Sequence, residues 1–360
     1  MLQIRNISLF QFKNYTNRNV PVGARIVGIC GNNGVGKTNL LDAIHYLCFT
    51  KSYFSRSDAS NVQQGRNGFR IEGGLELNGH LEKVTCILRE TGKKEFLVDD
   101  QAYHRFSQHI GRYPCVVIAP DDAELITGGS EERRKFLDSL LSQLDPLYLQ
   151  QLIVYTRVLQ QRNSLLKSFV ETGVRNLALL DVLDSQLAGP GDFLFRKRKD
   201  FLVSFLPAVK HIYIDIARRQ EDLSLIYESQ LLDVSLPELL DRSRPKDLPA
   251  QRTLAGVHRD DLDIRLGTMP FRQIASQGQR KSLLFALKLA EMEVLRKEKG
   301  FAPLLLLDDV FEKLDSERIG SLLARVCHAN EGQVFITDTS EERLRAKLEE
   351  IAVPFEMILL

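Results

Sequence analysis

"GICGNNGVGKTNLLDAIHYL", Gly28 to Leu47, is the stretch whose reading decides the fold. Within it, Gly31 to Thr38 fit the pattern Gly, any four residues, Gly, Lys, Ser or Thr. The residues before it, "ARIVGIC", are short, apolar and β-branched, the character of a buried strand. Those after it place Leu40, Leu41, Ala43, Ile44, Leu47 and Cys48 largely on one helical stripe. The loop therefore joins a strand to a helix. Its glycines let successive backbone N–H groups turn inward around an anion, and the helix N-terminus adds a partial positive charge. Lys37 is placed to reach outer phosphates and the Thr38 hydroxyl to ligate Mg²⁺. A polyphosphate nucleotide fits this arrangement.

The 360 residues suffice for two domains or for one large domain with an insertion. A hydrophobic share of 44% and a charged share of 26% are those of an ordinary globular protein, and the net charge of +1 excludes a global basic field that would attract nucleic acid. Any such contact must come from local patches. Cys30, Cys48, Cys86, Cys115 and Cys327 are odd in number, scattered and mostly set in apolar runs, which suggests neither a disulfide framework nor a metal pair and fits a reducing cytoplasm. The first residues, "MLQIRNISLFQFKNY", alternate like a strand and lack a cleavage site. No apolar run reaches the length of a membrane span, so no membrane partner is expected.

Along the chain the period changes twice. Residues 1–121 read as strands around one helix: "IRNISLFQF", "RIVGIC", "FRIEGGLEL", "LEKVTCILRE", "KEFLVDD" and "CVVIAP". From 122 to 218 apolar residues recur at spacings of three and four, which predicts a helical insertion divided at Pro146 and interrupted at Gly189 to Gly191. Residues 219–360 return to the head pattern, with strands in "LSLIYES" and "LDIRLG" joined by a polar, proline-bearing and mobile connection, "SRPKDLPAQRTLAG". "SQGQRKSLLFALKLAEMEVLRKEKG" predicts a helix N-capped by Ser276 and ended before Gly300. "PLLLLDDVFEKLD" is a buried strand running into acid, and "GQVFITDTS" is one more strand.

A phosphate loop that hydrolyses needs an acid for Mg²⁺ and a group to orient water. Asp308, at the end of Leu304 to Leu307, can hold the metal with Thr38, and Asp309 is placed to act on water as the catalytic residue. Alone, such a strand end is also an ordinary turn signal. The long interval between the loop and this acid, with "ASQGQRK" upstream, resembles the ATPase heads of the ABC superfamily in its chromosome-maintenance branch. "FKNY", "GNNGVGKTNLLDAI", "SYFSRSD", "APDDAELITGGSEERRKFLD", "YTRVLQQRNSLLK", "GVHRDDL", "SQGQRKSLLFALKLAE" and "LLLLDDVFEKLD" follow in order the pattern of the RecF family of bacterial DNA replication and repair proteins.

That resemblance implies an α/β, SMC-like ABC-type P-loop ATPase head with an inserted helical arm. It implies ATP and Mg²⁺ as cofactors, with Gly31, Asn32, Asn33, Gly34, Val35, Gly36, Lys37, Thr38 and Asn39 around the nucleotide. Ser276, Gln277, Gly278 and Gln279 match a signature that faces the ATP of an opposite subunit, and Asp315 falls in the D-loop that follows the acid strand. The implied protein is a weak ATPase that dimerises on ATP, binds duplex DNA near single-strand gaps, and works with RecO and RecR to load RecA. An SMC-like tether and a P-loop ATPase with another substrate are the rival functions.

The sequence departs from the generic ABC pattern. Gln277 stands for the first signature glycine, Asp309 for the usual Glu, and "ITDTS" has no switch His, which suggests slow hydrolysis suited to a switch. No lid Gln follows "CVVIAP", leaving Asp121 and Asp122 as candidates for a water or metal contact. Val257 stands where the family usually has Pro. Other residues keep two readings each. Arg56 reaches phosphate or pairs with Asp58 or another acid; His258, Arg259 and Asp260 couple the site to a loop or form a structural turn; "RKRK", Arg196 to Lys199, binds DNA backbone or is a solvated face.

Overall fold

The structure, a computed structural model, describes residues 1–218, 220–309, 323–329 and 331–360. It forms two compact units, Met1–Asp122 with Phe285–Leu360, and Ala123–Leu284. In the first, β1 (Leu2–Phe12) alternates buried and half-exposed positions and pairs antiparallel with β2 (Tyr15–Pro21) through a tight turn at Lys13 and Asn14. β3 (Ile26–Cys30) then leads through the phosphate-loop sequence into α1 (Lys37–Phe49). β4 (Phe69–Leu77), β5 (His80–Leu88), β6 (Lys94–Val98) and β7 (Gln101–Ala102) extend the first sheet in the order β2-β1-β4-β5-β6-β7. β8 (Cys115–Ile118) joins the other sheet of this unit.

The second unit follows with α2 (Glu124–Thr127), α3 (Ser130–Leu144), α4 (Pro146–Thr172) and α5 (Leu177–Ala217). Asp145 N-caps α4, its carboxylate accepting from Leu147 N–H at 2.9 Å, and Pro146 sits at the first helical position, where no N–H is needed. Then come β9 (Leu223–Glu228), α6 (Leu236–Ala250), β10 (Asp261–Leu266), β11 (Met269–Pro270) and α7 (Phe271–Ile274). α8 (Gln277–Lys299) starts in this unit, and the chain passes back to the first along it. β12 (Leu304–Leu307), β13 (Val334–Asp338), α9 (Glu341–Glu350) and β14 (Phe355–Leu359) complete the first unit.

Five parallel strands in the order β14-β3-β13-β12-β8 make its central sheet. Every residue of β3, β8, β12 and β13 is buried, as apolar runs without alternation demand when both faces of a parallel sheet are covered. α1 packs on β4 and β5 of the first sheet and on β8 and β13 of the second. This explains why Asp42, His45 and Tyr46 are buried along with the predicted apolar stripe: a helix between two sheets has no solvent face.

Three expectations of the second unit change. α5 is one helix of 41 residues running straight through Gly189, Pro190 and Gly191. A Cβ at Gly191 would meet Leu236 Cδ2 at 2.2 Å and Tyr155 Cε2 at 3.1 Å, so the close approach that glycine permits holds the helix where local propensity would break it. The connection expected to be mobile is mostly α6, whose Asp247 is buried against Arg162 at 2.8 Å, Thr253 Oγ1 joining the same guanidinium at 2.9 Å. Lastly, the second unit does not end at 218. β9 and β10 pair antiparallel, Arg198 on α5 bonds Asp260 at 2.8 Å, and these ties carry the unit to Leu284.

Gly191 and Gly189 separate packing from helix propensity. Gly189→Ala, with nothing near its missing Cβ, should stabilise the chain by about 0.5–1 kcal/mol. Gly191→Ala should instead destabilise it by about 1–3 kcal/mol through overpacking. Urea unfolding of both variants checks the pair, and equal stabilisation would remove the packing account of α5.

Candidate functional site

The sequence turns at the carboxyl ends of the parallel strands, the edge where open α/β sheets place their ligands. After β3, Gly34 and Gly36 adopt φ of +84° and +116°, the left-handed region that a Cβ disfavours. Asn32, Asn33 and Gly34 are exposed, while Lys37 is buried and its ammonium donates to the carbonyls of Gly31 at 2.8 Å and Asn32 at 3.1 Å. Gly36 caps α1, its carbonyl accepting from Leu40 N–H at 2.9 Å. A loop of this shape presents inward N–H groups, a cation and a helix N-terminus, the elements that hold a polyphosphate.

Asp308 stands at the end of β12, two strands from β3 in the sheet. Its carboxylate accepts from Thr38 Oγ1 at 2.9 and 3.0 Å. Thr337, at the end of the intervening β13, donates to Asp308 Oδ1 at 2.8 Å and accepts from Asp309 N–H at 2.9 Å. Thus the two sequence motifs meet through Thr38 and Asp308, and Thr337 ties the Asp308 carboxylate to the Asp309 backbone. Burial raises the Asp308 pKa above the usual carboxylate value against the opposing hydroxyl hydrogen bonds and Lys37, and the nearby charge of Asp121 raises it further. A buried carboxylate beside a hydroxyl is a hard-oxygen donor pair suited to Mg²⁺, which takes one or two protein ligands and keeps its waters. Asp309 carries a left-handed φ of 44°, a conformation rare outside glycine and common where a site dictates the backbone.

Sequence reasoning missed Thr337, whose signal was its position: the last residue but one of an apolar strand that neighbours the acid strand. It quoted Asn14 and Tyr15 within "FKNY" but gave them no role. Asn14 Nδ2 donates to the Val35 carbonyl at 2.7 Å, and Tyr15 Oη donates to that of Gly36 at 3.0 Å.

Of the remaining candidates in this unit, Asp122 is engaged in packing. It accepts from Ala119 N–H at 2.8 Å and from the Tyr53 hydroxyl, with the Lys288 ammonium at 3.8 Å. Arg56 is exposed and, among the described residues, forms no ion pair, since Asp58 pairs with Lys94 at 2.7 Å and accepts from Tyr46. Asp315 lies outside the described residues.

In the second unit, Ser276 and Gln279 form a reciprocal capping box on α8: the Gln279 side chain accepts from Ser276 N–H at 2.8 Å, and the Ser276 hydroxyl accepts from Gln279 N–H at 3.2 Å. The Ser276 hydroxyl proton remains directed by neither bond. Gln277 is exposed, Gly278 is half-buried, and Gln279 also donates to Glu221 at 3.1 Å. The "RKRK" run is not a uniform basic face. Arg198 is buried and bonds Asp138 at 2.7 Å, Asp260 at 2.8 Å and the Val257 carbonyl at 2.8 Å, while Arg196 pairs with Asp192 and Lys197 with Asp145. His258 bonds Tyr155 Oη at 2.8 Å and the Thr253 carbonyl at 3.1 Å, and burial lowers its pKa to about 4, so it is neutral at physiological pH. His258 and Asp260 therefore serve the packing of a turn inside this unit.

The chain matches the RecF/RecN/SMC N terminal domain family over residues 3–356. It is 41% identical over 345 residues to the DNA replication and repair protein RecF of Flavobacterium johnsoniae, covering 96% of each chain. A solved structure of the recombination mediator protein RecF with ATP, in the RecFOR pathway, superposes with a TM-score of 0.87 at 29% identity, covering 94% of this chain and 92% of that one. The Smc head domain of Pyrococcus furiosus, with an extended coiled coil and bound to the C-terminal domain of ScpA, shares the fold alone: TM-score 0.53, 15% identity, 96% and 92% covered. No helix among the described residues is long and apolar enough to cross a membrane.

Lys288 and Glu291 on α8 are buried, with the Lys288 ammonium 3.7 Å from Glu291, 3.8 Å from Asp122 and 3.4 Å from Tyr53 Oη. Burial pushes the Glu291 carboxyl from an ordinary 4.5 up to about 7, offset only in part by Lys288. The folded chain then keeps a proton between those values that the unfolded chain releases. This contribution to stability is full below pH 4.5 and is lost as pH rises through 7. Unfolding free energy should therefore fall by about 2–3 kcal/mol from pH 4.5 to 8 through this group. Glu291→Gln should flatten that slope in urea titrations. An unchanged slope would show that Glu291 titrates normally.

Proposed function

Because this chain belongs to the RecF family of DNA replication and repair proteins, we propose that it is a weak ATPase whose nucleotide cycle switches its hold on DNA. The observation that carries this reading is the Thr38–Asp308–Thr337 relay, which sets a phosphate-loop hydroxyl on the acid of a neighbouring strand end. Gly31 to Asn39 surround the phosphates of ATP, with Lys37 leaving its two carbonyl partners to meet the outer phosphates. Thr38 and Asp308 hold Mg²⁺, which when bound supplies neutralisation of phosphate charge. Asp309 orients the attacking water. Its short side chain fits slow turnover, so hydrolysis times release rather than driving work.

Ser276, Gln277, Gly278 and Gln279 complete the ATP site of a second copy of the chain. The capping box supports this role for Ser276: its oxygen satisfies the helix while its proton is left to donate to an anion, where the helix dipole adds to the attraction. Two half-sites per chain then give a head-to-tail dimer with two ATP molecules. With a net charge of +1, the DNA surface must be local and assembled by pairing. The proposed substrate is duplex DNA beside a single-strand gap, the partners RecO and RecR, the outcome RecA loading, and the compartment the cytoplasm. A tether between DNA segments is disfavoured by reach: the 41-residue α5 spans about 60 Å.

Three variants divide these roles. Lys37→Ala should lose ATP binding, whereas Asp309→Asn should bind ATP and stop turning over. Ser276→Arg should bind ATP as a monomer and fail to dimerise, and mixing it with Lys37→Ala should restore one composite site and part of the activity. Light scattering with ATP and a phosphate-release assay read both results. Normal ATP-dependent dimers from Ser276→Arg would contradict the composite site, and full turnover in Asp309→Asn would contradict its role.

A further inference from the structure

The turn between β1 and β2 is held more firmly than a connection of two residues requires. Lys13 places its ammonium on Asp42 at 2.6 Å, and Asp42 lies fully buried in α1, where it also accepts from Ser52 Oγ at 2.6 Å and Tyr53 N–H at 2.7 Å. Lys13 N–H donates to the Asn61 carbonyl at 2.8 Å, and Gln63 N–H to that of Gln11 at 2.9 Å. Gln11 and Lys13 both keep a left-handed φ, of 53° and 50°, which these contacts impose. Against this fixed base the next two side chains reach the phosphate loop. Asn14 spans it, donating to the Val35 carbonyl at 2.7 Å and accepting from Asn39 Nδ2 at 2.7 Å, while Tyr15 Oη donates to the Gly36 carbonyl at 3.0 Å. A Cβ at Gly36 would meet Asn14 Nδ2 at 2.6 Å and Tyr15 Oη at 2.9 Å, so the turn occupies the room that glycine leaves.

We propose that Asn14 and Tyr15 are positioning residues that clamp the phosphate loop in its nucleotide-binding shape before nucleotide arrives; the inference rests on the ATP-binding reading above. A loop that presents its N–H groups inward has few partners of its own, so an unclamped loop must be ordered by the ligand, at the expense of affinity. The clamp uses carbonyls, the groups that face away from the anion, and leaves the N–H groups for phosphate. Tyr15 serves at any working pH, because burial raises its hydroxyl to about 12 and keeps the proton in place.

The test is the dissociation constant of a fluorescent ATP analogue, with KM, kcat and nucleotide-free melting, on the full chain. Asn14→Ala and Tyr15→Phe should each weaken binding and raise KM by about tenfold with kcat nearly unchanged and nucleotide-free melting preserved. Asn14→Ala and Asn39→Ala should lose less together than the sum of their separate losses, since they share a bond. Asn14→Asp should bind more weakly than Asn14→Ala, because a carboxylate would face the Val35 carbonyl and the phosphates. Binding within twofold of the wild type in Asn14→Ala and Tyr15→Phe would overturn the clamp. So would a loss matched by an equal fall in nucleotide-free stability. A wild-type chain that fails to bind ATP would instead sink the reading on which the clamp rests.

Discussion

The bond from the Thr38 hydroxyl to the Asp308 carboxylate, at 2.9 and 3.0 Å to its two oxygens, spans 270 residues of sequence, and much of the first unit answers to it. The two residues leave different strands, β3 and β12, with β13 between them, so the bond exists only if all three are parallel and in register. Leu305 to Leu307 pair with Val334 to Ile336, and Val334 to Asp338 pair with Ile26 to Cys30, which brings the three strand ends level. Parallel strands need crossover connections. The chain meets that need by a long excursion, leaving the first unit after Asp122 and returning at Phe285.

A buried carboxylate is costly unless hydrogen-bonded, and the surroundings of Asp308 show how the cost is met. Two threonine hydroxyls donate to it, and Thr337 passes the constraint on to the Asp309 backbone. The second unit solves the same problem differently, with guanidinium groups. Arg162 bonds Asp184 and Asp247, and Arg198 bonds Asp138 and Asp260, pairs in which removal of one partner strands the other. Threonine at the site and arginine in the second unit differ in consequence: a hydroxyl can yield a lone pair to a metal, whereas a buried arginine fixes its acids in place.

The parts legible in the sequence were those in which local chemistry and burial agree. β3, β12 and the glycine loop are apolar runs and turn residues that the sheet uses as such, and Ser276 caps α8 as expected, its hydroxyl accepting from Gln279 N–H. The parts that escaped depend on partners distant in sequence. β2 is largely exposed and polar, and is a strand because β1 pairs with it; in α9 only Leu344 and Leu348 are buried; β14 is set by β3. In α5 a Gly-Pro-Gly break signal is overridden by packing at Gly191. Arg198 looked like one member of a surface run because nothing nearby announces Asp138 or Asp260.

The central claim is that nucleotide binding at one strand edge governs the hold on DNA. The most direct measurement is the affinity of the unmodified chain for a gapped duplex with Mg²⁺ alone, and with Mg²⁺ and a non-hydrolysable ATP analogue, across a series of salt concentrations. The account predicts binding at least about tenfold tighter with nucleotide and a steeper loss with salt, because the proposed pairing would double the phosphate contacts. Equal affinity and equal salt slope in the two conditions would contradict it.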